Sequence, residues 1–173
     1  MDILIYIASA VAVISTAIVI TRTNAVHALL YLIVSLMAVA VVFYLMGAPF
    51  VAALEVIIYA GAIMVLFIFV VMMLNLGAGG APRERTWLAP SAWIGPGILA
   101  LLLLAEILFV IGTGDAAPEY RRIDAKEVGI ALFGPYVLAV ELSAMLLLAG
   151  IVGAYHLGRH RRKSYHRFYG EDI

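Results

Sequence analysis

Cysteine is absent from the 173-residue sequence. A chain without thiols has no disulfide framework, no thiolate metal site, no cysteine-ligated iron–sulfur cluster and no cysteine nucleophile. Charged residues are also scarce, at 13% of the chain, and Lys plus Arg balance Asp plus Glu at 11 each. Without net positive charge, no basic field attracts nucleic acid. The sequence therefore predicts neither electron transfer through its own cluster nor nucleic-acid binding.

Apolar residues dominate, at 65% of the sequence with a mean hydropathy of +1.10. A soluble domain of this length cannot bury so much apolar surface. A membrane-spanning helix needs about 20 apolar residues, and the five runs that qualify are 3–20, 26–46, 50–74, 93–111 and 133–155. We therefore predict an all-α polytopic membrane protein, with a five-helix transmembrane domain over residues 1–155. The first run is too long for a signal sequence and is expected to be a retained anchor.

The joints between the runs predict topology. Gly47-Ala48-Pro49 is too short to cross the bilayer again, so the second and third helices are expected to form an antiparallel hairpin. Of the Lys and Arg residues, 3 fall on the N-terminal side of the membrane and 8 on the other. The positive-inside rule then places the N-terminus in the periplasm and the C-terminus in the cytoplasm.

The tail, residues 156–173, is predicted to be a basic cytoplasmic segment. Residues 156–167 contain five Lys or Arg and three His, which suits an anionic leaflet or an acidic partner, or serves only as an ordinary positive-inside signal. His156 and His160 have no nearby carboxylate to orient them, so no metal site is expected. His27, beside Asn24, is expected to act as a helix cap or an interfacial residue.

Three carboxylates, those of Glu55, Glu106 and Glu141, lie within apolar runs. An ionised carboxylate facing lipid costs about 2.5–3.5 kcal/mol or more, so each should face protein or water. All three are predicted at about 8–12 Å below the outer boundary, a shared depth that permits a polar layer in which protons are relayed. The alternative for Glu106 is that its side chain reaches the headgroups; for Glu55 and Glu141 it is polar pairing between helices.

The third run contains the most informative segment. Glu55 and Tyr59, four residues apart, share a helix face, and Ala60-Gly61-Ala62 removes side-chain bulk near the midplane. Small residues let a neighbouring helix approach closely, and glycine also makes a change of backbone register, such as a π-bulge, inexpensive. Taken alone, these residues favour helix packing over a hinge.

Three segments carry a family resemblance: TNAVHALLYL at 23–32, LEVIIYAGAIMVLF at 54–67 and LFGPYVLAVEL at 132–142. They resemble the membrane subunits of proton-pumping NADH-quinone oxidoreductase, respiratory complex I, that are called subunit J in bacteria and subunit 6 in mitochondria. The resemblance extends over residues 1–158.

The resemblance implies a non-catalytic subunit of the bacterial inner membrane, inactive alone, that helps couple quinone reduction to proton translocation. It implies subunits K, H, A and N of the complex as partners, together with the lipid bilayer. It also implies no cofactor or metal in this chain, because FMN, the iron–sulfur clusters and quinone belong to other subunits. The third helix is then a switch that can adopt a π-bulge beside a hydrated path. Tyr59, Gly61 and Met64 are its matching residues, with Glu55 next to them.

Two other functions are compatible with the residues themselves. The first is a small autonomous proton-coupled transporter that uses Glu55 and Glu141, although the sequence shows no inverted repeat. The second is a purely structural scaffold, for which Gly61 would be replaceable.

Overall fold

The computed structural model describes residues 2–74, 90–112 and 121–159, with the side chains of 90–92 left out. Most of the predicted tail, including His160 and His166, lies outside these residues. The described helices are α1 (Asp2–Thr21), α2 (Ala25–Leu45), α3 (Pro49–Leu54), a π-helical segment (Glu55–Ile63), α4 (Met64–Leu74), α5 (Pro90–Gly112), α6 (Ala125–Phe133) and α7 (Val137–Gly158). We call the continuous stretch of α3, the π-helical segment and α4 the third span.

Within the described residues, five helices are long and apolar enough to cross a membrane: Asp2–Thr21, Ala25–Leu45, Pro49–Met73, Trp93–Gly112 and Val137–Gly158. The predicted number of spans is therefore confirmed. The contacts divide the chain after Ala125, so α1 to α5 and the pair α6 and α7 are described separately.

The predicted hairpin between α2 and the third span is present, since α2 packs against α3, the π-helical segment and α4. Gly47 ends α2 with φ at 85°, a left-handed conformation that is favourable only for a residue without a Cβ. Pro49 opens α3 in its first turn, where the missing N–H has no partner to lose. At the other end of α2, the Asn24 side chain caps the helix by accepting the Val26 N–H at 3.0 Å.

The core of the first part lies between α1, α2 and α5. Its buried members are Ala8, Val11, Val34, Ala38, Val41, Leu45, Leu103 and Val110. The small residues Ala8 and Ala38 are fully buried, which allows close approach of α1 and α2. A hydrogen bond of 2.7 Å between the Thr16 and Ser35 hydroxyls also joins these helices.

In the second part, the fifth span begins at Val137 rather than at residue 133, and it extends to Gly158. The separate helix α6 precedes it, in a region that the sequence predicted as partly loop. The turn at Gly134-Pro135-Tyr136 divides the two helices. A Cβ at Gly134 would lie 2.7 Å from the Ile130 carbonyl oxygen. The turn brings the backbone at 134 so close to this carbonyl that only glycine fits.

Candidate functional site

The third span contains nine residues of π-helix, Glu55–Ile63, in the middle of a membrane-spanning helix. The Met64 N–H donates to the Tyr59 carbonyl, five residues earlier, which is the hydrogen bond that defines a π-helix. π-Helical segments are rare and occur frequently at functional sites. The bulged form that the family resemblance implied is therefore the form present here, whereas the switching role of Tyr59, Gly61 and Met64 stays a prediction.

The side chains of this segment point in different directions. Met64 is only 1% exposed, whereas Tyr59 is 50% exposed on the surface of the chain. Because α2 packs against both the π-helical segment and α4, Met64 anchors the end of the segment in the protein. Tyr59 remains available to lipid, water or another protein. The C-terminal end of the π-helical segment is therefore packed within the chain through Met64, whereas the Tyr59 ring within the segment is exposed.

Gly61 lies close to a backbone carbonyl of its own segment. A Cβ at this position would lie 3.2 Å from the Val56 carbonyl oxygen, closer than an ordinary van der Waals contact. Val56 is five residues before Gly61, so its carbonyl is one that the π-helical register places beside residue 61. Any larger residue at 61 would crowd this carbonyl while the segment is π-helical.

Glu106 is buried at 5% exposure, and neither of its carboxylate oxygens has a hydrogen-bond partner among the residues described. Leu103 and Val110, three residues before it and four after it, both belong to the core cluster. Residues at these spacings share a helix face, so Glu106 lies on the face of α5 that packs against α1 and α2. The expectation that its side chain reaches the headgroups is therefore wrong.

The structure does not join the three carboxylates into a hydrogen-bonded layer, because Glu106 bonds to none of the described residues. Glu55 is partly exposed at the start of the π-helical segment. Glu141 is exposed on α7, in the separate second part of the chain. The shared polar layer stays a prediction. Within the described ranges, no group of three or more His, Asp or Glu side chains is placed to hold a metal ion.

Sequence reasoning missed a contact between α2 and α5. Tyr31 is buried at 6% exposure, and its hydroxyl occupies the space where Gly95 lacks a side chain. The Arg22 guanidinium lies over the Tyr31 ring, 5.5 Å from the ring centroid, which is a cation–π distance. The available signal was the pair of glycines in Gly95-Pro96-Gly97 inside an apolar run, since small residues let a neighbouring helix in a membrane approach closely.

Comparison with known proteins agrees with the membrane architecture. Residues 15–157 match the family model described as NADH-ubiquinone/plastoquinone oxidoreductase chain 6. The chain is 56% identical over 165 residues to NADH-quinone oxidoreductase subunit J of Pseudomonas aeruginosa, covering 94% of this chain and 99% of the relative. The Escherichia coli K12 protein of the same name is 56% identical over 163 residues, covering 94% of this chain and 89% of the relative.

A more distant relative gives the same result. Subunit J of Buchnera aphidicola subsp. Schizaphis graminum is 49% identical over 163 residues, covering 94% of this chain and 100% of the relative. Both the family model and these relatives cover most of the chain, including all of the π-helical segment and Glu106. The chain therefore belongs to the NADH-ubiquinone/plastoquinone oxidoreductase chain 6 family.

Proposed function

We propose that this protein is a membrane-arm subunit of a bacterial NADH-quinone oxidoreductase and helps couple quinone reduction to proton translocation. The observation that carries the proposal is the π-helix Glu55–Ile63 inside the third span, in a chain of this family. The subunit makes and breaks no bonds itself. It is inactive alone, and the redox cofactors belong to other subunits of the complex.

In this mechanism, the third span exchanges its π-helical register for an α-helical one. The buried Met64 holds one end of the segment, while Tyr59 rotates with the backbone as the register changes. A difference of about 1.4 kcal/mol between the two forms changes their ratio tenfold. Small changes in the surroundings of the segment therefore suffice to open or close a hydrated path along Tyr59 and Glu55.

The carboxylates of Glu55, Glu106 and Glu141 are further proton-binding groups for this path, each within two turns of an end of its own helix. Glu55 and Glu106 are each six residues from a helix end, or about 9 Å along the helix axis. Glu141 is four residues from the start of α7, or about 6 Å. We propose that Glu141 contributes to a polar layer that is completed by subunits K, H, A and N, and that Glu106 joins this layer only when α5 moves away from α2.

Copurification tests the assignment to the complex. A tagged copy of this chain, purified from mildly solubilised inner membranes, is expected to bring down the other NADH-quinone oxidoreductase subunits together with NADH-dependent quinone reduction. An autonomous transporter would instead purify alone, or as copies of itself, and catalyse proton-linked uptake in vesicles. Recovery of the chain without any oxidoreductase subunit would contradict the proposal.

The orientation of the chain in the inner membrane gives a second prediction. The 3 to 8 distribution of Lys and Arg places the segment around Ala116 in the periplasm and Ser164 in the cytoplasm; both positions lie outside the described residues. Because the natural chain has no cysteine, Ala116→Cys and Ser164→Cys each provide a unique thiol. In intact cells, an impermeant maleimide is expected to label only Ala116→Cys, and opened cells serve as the control. Labelling of Ser164→Cys in intact cells would reverse the orientation.

A further inference from the structure

The carboxyl group of Glu106 is enclosed by this chain itself. Each of its oxygens has less than 1 Å² of accessible surface and no hydrogen-bond partner. Since the enclosing residues come from the same chain, a partner subunit cannot reach the carboxyl unless a helix moves. A group that balances the charge of an ionised Glu106 must therefore come from this chain while the helices are packed in this way.

None of the described side chains donates a hydrogen bond to the carboxyl group of Glu106. The titratable groups on the elements around α5 are Asp2 and Tyr6 of α1, His27, Tyr31 and Tyr44 of α2, and Glu55 and Tyr59 of the third span. The described cations in the same part of the chain are Arg22, between α1 and α2, and Arg121 and Arg122, before α6, and all three side chains are exposed. Glu106 makes no hydrogen bond to any of them, and it is the only charged residue on α5. The apolar members of the surrounding core are Ala, Val and Leu side chains, and the buried residues of α1 and α2 also include the neutral hydroxyls of Ser15 and Ser35.

A nearby groove reinforces the apolar setting. It has a volume of about 380 Å³ and lies between α2, the third span and α5. Its lining includes Ile107 and Val110, one and four residues after Glu106 on α5, and among the described lining residues only Tyr44 has a polar side-chain atom. An ordered water needs two to four polar partners, and the lining of this groove provides almost none.

We propose that Glu106 is an internal proton-binding site, occupied by a proton as long as α5 is packed against α1 and α2. An isolated carboxylate in this core would lose its hydration without compensation, whereas the neutral acid loses far less. When α5 separates from α2, water reaches the carboxyl, accepts its proton and leaves a carboxylate. The packing of α5 and the protonation of Glu106 are thus linked: packing of α5 favours the protonated acid, and protonation of Glu106 favours the packed position of α5.

This inference deepens the polar layer of the proposed function, but it does not depend on switching of the third span. Normal pumping in a complex with an altered Gly61 would contradict the switch alone. An unchanged infrared signature after replacement of Glu106 would contradict the proton site alone.

Infrared spectroscopy of the assembled complex in native lipid tests the proposal. Only a protonated carboxyl has a carboxylic-acid C=O stretch, and this band shifts on exchange into D2O. The difference between wild type and Glu106→Gln is expected to show the loss of one such band. The matched control is Glu127→Gln on α6, outside the spans, which is expected to lose no acid band. An identical acid region in wild type and Glu106→Gln would overturn the proposal.

Assembly provides the second measurement. Glu106→Gln and Glu106→Leu, which are both neutral and similar in size to glutamic acid, are expected to enter the complex at wild-type level. Glu106→Arg, with a fixed charge, is expected to be lost from it. The infrared comparison uses whichever neutral variant assembles. If neither neutral variant assembles, the core requires an ionised carboxylate and the proposal is wrong.

Discussion

Replacement of Gly61 by valine is expected to reduce quinone reduction and proton pumping about tenfold, while NADH oxidation by an artificial acceptor stays intact. In the π-helical form, a Cβ at residue 61 lies 3.2 Å from the Val56 carbonyl oxygen, and a β-branched residue adds further crowding against the helix. The substitution therefore disfavours the π-helical form. A bias of about 1.4 kcal/mol changes the populations tenfold, which holds the third span in the α-helical form.

The matched control is Ala62→Val, one position further along the same segment, where the side chain is exposed on the chain. It adds β-branched bulk at a position where the π-helical segment already accommodates a Cβ, and it is expected to retain most of the coupled activity. Gly61→Ala should fall between the two, because it adds the Cβ alone. All three complexes are compared at equal amounts of assembled subunit. Normal quinone reduction and pumping by assembled Gly61→Val would show that the third span only packs.

Much of the architecture was predictable because the membrane constrains helix length. For the first four spans, the predicted limits differ from the observed ones by no more than one residue at each end. The fifth span was predicted to begin at residue 133, four residues before its observed start at Val137. Hydropathy cannot detect the turn there, since Phe133, Tyr136 and Val137 are all apolar. Pro135 was the local signal, because the residue before a proline is disfavoured in a helix.

The direction in which Glu106 points was not predictable. The helix α5 is apolar around its whole circumference, with leucine at each of 101 to 104, so no amphipathic stripe indicates which face meets the protein. Helix packing alone decides that Glu106 faces α1 and α2. The π-helical register of the third span was equally hidden, since the residues alone favoured ordinary packing and only the family resemblance implied a bulge.

Replacement of Gly95 by alanine is expected to be among the most destabilising single changes in the part of the chain that the structure describes. A Cβ at this position would overlap the hydroxyl oxygen of the buried Tyr31 and lie 3.0 Å from its Cζ. Either α5 moves away from α2 or the Tyr31 ring leaves its place beside Arg22. Overpacking of this kind costs about 1–3 kcal/mol, so the amount of assembled complex and its thermal stability should both fall.

The control for helix propensity is Gly97→Ala, two residues along the same helix, where a Cβ meets nothing within 4 Å. It is expected to be neutral or slightly stabilising, because alanine favours a helix by about 1 kcal/mol over glycine. Tyr31→Phe removes the obstructing oxygen but keeps the ring beneath Arg22. In the double variant Gly95→Ala with Tyr31→Phe, most of the lost stability should therefore return, giving a favourable coupling of about 1–3 kcal/mol. Strictly additive effects of the two substitutions would mean that Tyr31 and Gly95 do not hold α2 and α5 together, and that the cost of Gly95→Ala arises elsewhere in α5.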